Sequence, residues 1–70
     1  MRPQEYILEL VSHEDYNGYK TVDLVKEFFN CQDAEITAEG DVWISRPQTP
    51  HQLSNMELQG FVDWHKATIG

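Results

Sequence analysis

Cysteine appears once in this chain, at Cys31, and basic side chains appear only five times in seventy residues. One cysteine excludes an internal disulfide, and without a Cys-x-x-Cys pair a structural zinc has no ligand set to start from. Five Lys and Arg against twelve Asp and Glu leave a net charge of −7. Long-range forces therefore oppose contact with nucleic acid or an anionic membrane. No apolar run is long enough to span a bilayer, and Met-Arg-Pro leads into mixed residues without a leader-like apolar core. The four glycines stand apart, so no phosphate-cradling Gly-x-Gly or Gly-Lys-Ser/Thr arrangement occurs. These absences give the expectation of a cytoplasmic protein with no cofactor and no membrane partner.

What is present must stabilise the fold by packing. Seventy residues make one domain, and a chain of this length buries only about 60% of its unfolded surface. Eight Phe, Tyr and Trp residues make that core feasible. Ten of the twelve acids precede Val42, spread along the chain rather than gathered in a tail. That is the pattern of a solvated surface or of a negative face that meets a basic partner.

Residues 3–14 read preferentially as a helix, with a strand the alternative. Pro3 suits a first helical position and Glu5 a first turn, while Tyr6, Ile7, Leu10 and Val11 fall on one stripe. Gly18 is placed to end that segment in the left-handed conformation. Thr21 is the expected cap of a second helix from Val22 to about Asn30, with Val22, Val25 and Phe29 on its stripe. A β-hairpin is expected over about 34–45, turning at Gly40. Parity demands an odd loop such as Glu39-Gly40-Asp41, with Ile36 opposite Ile44, if Ile36, Val42 and Ile44 are to share a face. Trp43 then points to the other face with Glu35, Thr37 and Ser45. Arg46 to Gln52 reads as a linker held extended by Pro47 and Pro50. The last helix carries the strongest start signal, a Ser54/Glu57 capping box inside a Leu53/Leu58 staple. Leu58, Phe61, Val62 and His65 follow as its buried stripe. The expected fold is α+β: two to three helices on a minimal antiparallel sheet containing the hairpin.

Chemistry is sparse. His13, Glu14, Asp15, His51, Asp63 and His65 lack the i, i+3 or i, i+4 spacing that brings metal ligands together on a helix. Cys31 has no Gly-rich elbow around it, so it reads as a packed small residue rather than a nucleophile. His65 reads as a partly buried histidine with one hydrogen bond rather than a switch. No enzyme is expected.

Binding remains. Trp43, Arg46 and His51 have no assigned structural task, and an exposed Trp with Arg is the kind of pair enriched at protein–protein hot spots. With Glu35, Glu39 and Asp41 they form the candidate partner-binding set. The expected function is a small acidic protein acting by protein–protein binding. It would be an inhibitor or DNA-mimic-type regulator of the sort encoded by phages and mobile elements, its partner a basic or nucleic-acid-handling protein. Self-association is a further way to cover Trp43. The alternative, from the helix-then-hairpin order, is a compact winged-helix-like nucleic-acid binder using Lys20, Lys26 and Arg46. Its wing tip, Glu39-Gly40-Asp41, would be acidic where phosphate should sit.

Overall fold

The structure, a computed structural model, describes residues 2–14, 20–46 and 49–69, and at Arg46 the backbone alone. Helix α1 spans Pro3–Ser12 and α2 Thr21–Phe29. Strands β1 (Asp33–Ile36), β2 (Val42–Arg46) and β3 (Thr49–Gln52) follow, and α3 (Asn55–Thr68) closes the chain. The sheet is antiparallel with β2 in the middle, in the order β1-β2-β3. The result is a small α+β domain.

Residues 3–12 are helical, with the Glu5 carboxylate accepting the Arg2 N–H at 3.2 Å. The buried stripe is rotated from the expected one. Ile7 is fully buried and Gln4 nearly so, whereas Leu8 and Val11 stay more than a third exposed. Gln4 is hidden because its amide works there: Nε2 donates to Asn55 Oδ1 at 2.6 Å and lies 3.4 Å from Asp41 Oδ1. One side chain thus ties α1 to the hairpin and to the start of α3. The Gly18 assignment lies outside the described residues.

Thr21 does not cap α2. Lys20 is the N-cap residue, and Thr21 is a buried first helical residue whose N–H donates to Glu14 Oε1 at 2.9 Å. A carboxylate from another segment replaces the hydroxyl, and its charge suits the helix N-terminus. Val25 is buried to 0% exposure at the centre of the α2 stripe. Asn30 ends the helix in the left-handed region (φ 53°), a conformation Asn tolerates, while Cys31 N–H reaches back to the Lys26 carbonyl at 3.1 Å.

The hairpin has the expected parity and a different register. Ile36 opposes Val42 and Ala34 opposes Ile44, two positions from the expected Ile36–Ile44 pair. Thr37 N–H donates to the Asp41 carbonyl at 2.8 Å, closing the three-residue loop Ala38-Glu39-Gly40. Gly40 takes φ 89°, and a Cβ there would run into the Gln4 backbone carbonyl. The loop is set by where glycine is required, and moving it by one residue moves the register by two without changing either face.

The third strand corrects the linker reading of Arg46 to Gln52. Leu53 N–H donates to the Val42 carbonyl at 2.8 Å. By alternation Ile44/His51 and Arg46/Thr49 are hydrogen-bonded pairs, while Ser45/Pro50 and Trp43/Gln52 are not. Pro50 therefore turns its hydrogen-free nitrogen outward, the place where an edge strand tolerates proline. Every β3 side chain is exposed, so no apolar alternation marks the strand in the sequence.

The three described helices share one core with Val42 and Ile44 of β2 and so lie on one side of the sheet. Ile7, Val25, Val42, Ile44, Leu53, Leu58, Phe61 and Val62 form the core, each at 2% exposure or less. Phe28, Phe29, Phe61 and Trp64 pack as an aromatic group beside it, with centroid spacings of 4.8–6.3 Å. The α3 signals are all present: Glu57 N–H donates to Ser54 Oγ at 3.2 Å and Ser54 N–H to Glu57 Oε1 at 3.1 Å. Leu53 and Leu58 are both buried.

Candidate functional site

Strand pairing fixes what shares a face with Trp43. In an antiparallel sheet, directly opposed residues point the same way and residues two apart in one strand do too. Glu35 and Gln52 flank Trp43, and Asp33 and Pro50 flank Ser45. The outward face is therefore a grid of two rows, Asp33–Ser45–Pro50 and Glu35–Trp43–Gln52. Acids occupy the β1 column, and the indole and a hydroxyl occupy the middle. None of the six residues is basic.

No described element lies over this face. Trp43 is 38% exposed, Asp33, Glu35, Pro50 and Gln52 are exposed and Ser45 is half-buried. The surface is not flat. A shallow open depression of about 330 Å³ lies over the three strands, lined by Asp33, Ala34, Glu35, Trp43, Ser45 and Pro50. Leu8, Val11 and Phe28 are exposed to a similar degree, but each stands on a helix that also contributes to the core, where single exposed apolar groups are ordinary. Trp43 stands on a face with no core beneath its own side.

The six expected partner-binding residues do not converge. Trp43 and Glu35 meet as a cross-strand pair. His51 opposes Ile44 and so belongs to the other face, where its Nε2 lies 3.6 Å from Glu57 Oε1. Glu57 is thereby tied twice. The Ser54 backbone N–H holds its carboxyl below the usual range; burial opposes this, and the Ser54 hydroxyl and His51 add smaller lowering contributions. Asp41 is taken up by the turn: its N–H donates to Thr37 Oγ1 at 3.1 Å, its carbonyl accepts from Thr37, and its carboxylate faces Gln4. Glu39 is exposed in the loop, away from the grid. Arg46 pairs with Thr49 in the strand register, and its side chain lies outside the described part.

Asp33 and Pro50 belong to the site and were not among the expected residues. Asp33 follows from Glu35 by the two-residue period, once the register is known. Pro50 could not be placed without the third strand.

Several other polar groups have structural partners, while the buried Gln4 Oε1 has none among the described residues. His65 is 7% exposed, and its Nδ1 lies 2.8 Å from the Tyr6 hydroxyl. Burial lowers the His65 pKa and, with Glu9 adding to it, raises that of Tyr6. The Lys66 ammonium sits 5.2 Å from the Tyr6 ring centre. Lys26 lies 3.6 Å from Asp23, which offsets its charge on the helix a winged-helix reading would use as reader. Among the described residues no three His, Cys, Asp or Glu side chains converge as metal ligands, and no helix is long and apolar enough to cross a membrane. Comparison of the chain with protein-family models and with curated proteins gives no significant match.

Proposed function

We propose that this protein acts by binding another protein, and that the uncovered sheet face around Trp43 is where it does so. One observation carries the reading: a tryptophan more than a third exposed stands at the centre of a sheet face that no described element covers. Tryptophan is costly to leave wet and is over-represented among residues that dominate binding energy. The surrounding Asp33, Glu35, Ser45 and Gln52 provide a polar rim, the anatomy of a small recognition patch. The net charge of −7 favours a protein partner over nucleic acid, because a duplex would meet repulsion from most directions. A partner that itself handles nucleic acid, with its basic site occupied by this acidic chain, is the regulatory form that fits the charge.

The test uses the full chain and its Trp43→Ala variant as immobilised baits, after both are shown to melt cooperatively. A protein retained by the wild type, lost with Trp43→Ala, and bound again when purified is the expected result. Two outcomes defeat the reading: both baits retain the same proteins, or Trp43→Ala unfolds as a core truncation would.

A further inference from the structure

The outer depression has a composition more specific than a generic recognition patch. It is lined by a tryptophan, two acidic residues, a proline and a serine, with Ala34 between the two acids. Same-face neighbours lie about 5 Å apart across strands and about 7 Å apart along one. Trp43, Asp33 and Glu35 therefore surround one space rather than three. Among the described residues no basic side chain lines it, and none of them sets an opposite charge against the two carboxylates there.

From this we infer that the depression over Ser45 is a recognition site for an arginine side chain carried by the partner protein. The inference rests on the reading that this face binds protein. A guanidinium is planar, and its weak hydration lets it lie flat against an aromatic ring while its edge stays free to donate. Stacked on Trp43, it would turn N–H groups toward the β1 column, where Asp33 and Glu35 offer acceptors. The aliphatic stem would pass over Pro50, and the Ser45 hydroxyl would accept a further N–H. Lysine fits less well. Its compact ammonium is strongly hydrated and cannot serve two carboxylates while also lying on the ring. The negative charge of the whole chain adds attraction at long range, speeding encounter without choosing the contact.

The probe is a capped Gly-Gly-Arg-Gly-Gly peptide, with two counterparts carrying lysine or the uncharged isostere citrulline. Binding is read by amide shifts of the full-length protein and by Trp43 fluorescence in a Trp64→Phe background. The arginine peptide is expected to shift Asp33, Glu35, Ser45 and the Trp43 indole together. The citrulline peptide should bind about tenfold more weakly, the loss expected when a cation–π contact and two ion pairs go together. Asp33→Asn and Glu35→Gln should each weaken the arginine peptide, whereas Glu27→Gln, which removes an equal charge on α2, should not. The inference is overturned if the citrulline or lysine peptide binds as tightly as arginine. It is also overturned if the shifts spread over the acidic helices and Glu27→Gln weakens binding as much as Glu35→Gln. Either result leaves the binding face itself intact, because that reading fails only when the Trp43→Ala bait retains what the wild type retains.

Discussion

Ile44 and Trp43 are consecutive residues of the central strand, and they live in opposite surroundings. Ile44 is 2% exposed in the core that the described helices share, and Trp43 is 38% exposed beneath nothing described. The difference shows how a seventy-residue chain divides its apolar groups. The described helices cover one face of the three-stranded sheet and not the other. On the covered face Ala34, Ile36, Val42 and Ile44 are aliphatic residues that only need to be dry, and it turns polar at the β3 edge, where Thr49 and His51 are exposed. The open face is made of groups that can both stack and bond: indole, carboxylate, hydroxyl and amide. An indole placed there is not required by the core, which is why it stands as the binding candidate.

The largest expected effect comes from breaking the covered side of that comparison. Ile44→Ala should cost about 2–5 kcal/mol, the range for a buried aliphatic truncated to alanine. In a domain this small, each kcal/mol lowers the melting temperature by about 4–8 °C. Trp43→Ala, one residue away, should cost less, about 1–3 kcal/mol, because more than a third of that residue is already in water. Thermal melts of both variants check the contrast, and equal losses would erase the distinction between the faces. A smaller effect is expected at the hairpin that sets them. Gly40→Ala forces a left-handed backbone on alanine, about 1–3 kcal/mol, and pushes a methyl group against the Gln4 carbonyl. If urea denaturation gives Gly40→Ala near-wild-type stability, the hairpin does not press on α1 as the structure describes.

Parity explains how much of this was legible in the sequence. Alternation of Ile36, Val42 and Ile44 required one face to be dry, so Trp43 had to lie on the other with Glu35, whatever the exact pairing. The pairing itself depends on Gly40, whose need for positive φ does not reveal its position within the loop. Asp33 followed only once that position was known. The α3 start was readable because capping box and staple act within the six residues Leu53 to Leu58, needing no tertiary information. The α2 start was not, because a distant Glu14 does the work assigned to Thr21. The β3 strand was hidden for a different reason. Edge strands with both faces wet carry no hydrophobic period, and Pro50 carries the usual sign of a break. The proline is accepted because its nitrogen faces away from β2, a fact set by the ladder and not by the local sequence. Gln4 was passed over because a polar residue on a helix stripe looks exposed until Asn55 and Asp41 arrive to accept from its amide nitrogen.

The smallest expected effect lies on the covered side and depends on pH. His65 is buried among Phe61, Tyr6 and the rest of α3, and burial lowers its pKa from the ordinary value of about 6.5. A base with a lowered folded pKa binds fewer protons folded than unfolded. The stability that the neutral ring confers is complete above about pH 6.5 and is lost as the pH falls through that value toward the folded pKa. Urea midpoints should therefore decline between about pH 7.5 and about pH 5.5. Glu57 acts below that window. Its lowered carboxyl stabilises the fold above the ordinary carboxylate range and stops doing so only on stronger acidification. His51 and His13 are exposed, so the decline should be assigned with a His65→Leu variant, in which the buried base is gone and the midpoint between those two pH values should flatten. Should the wild-type decline persist unchanged in His65→Leu, the titrating group would lie elsewhere.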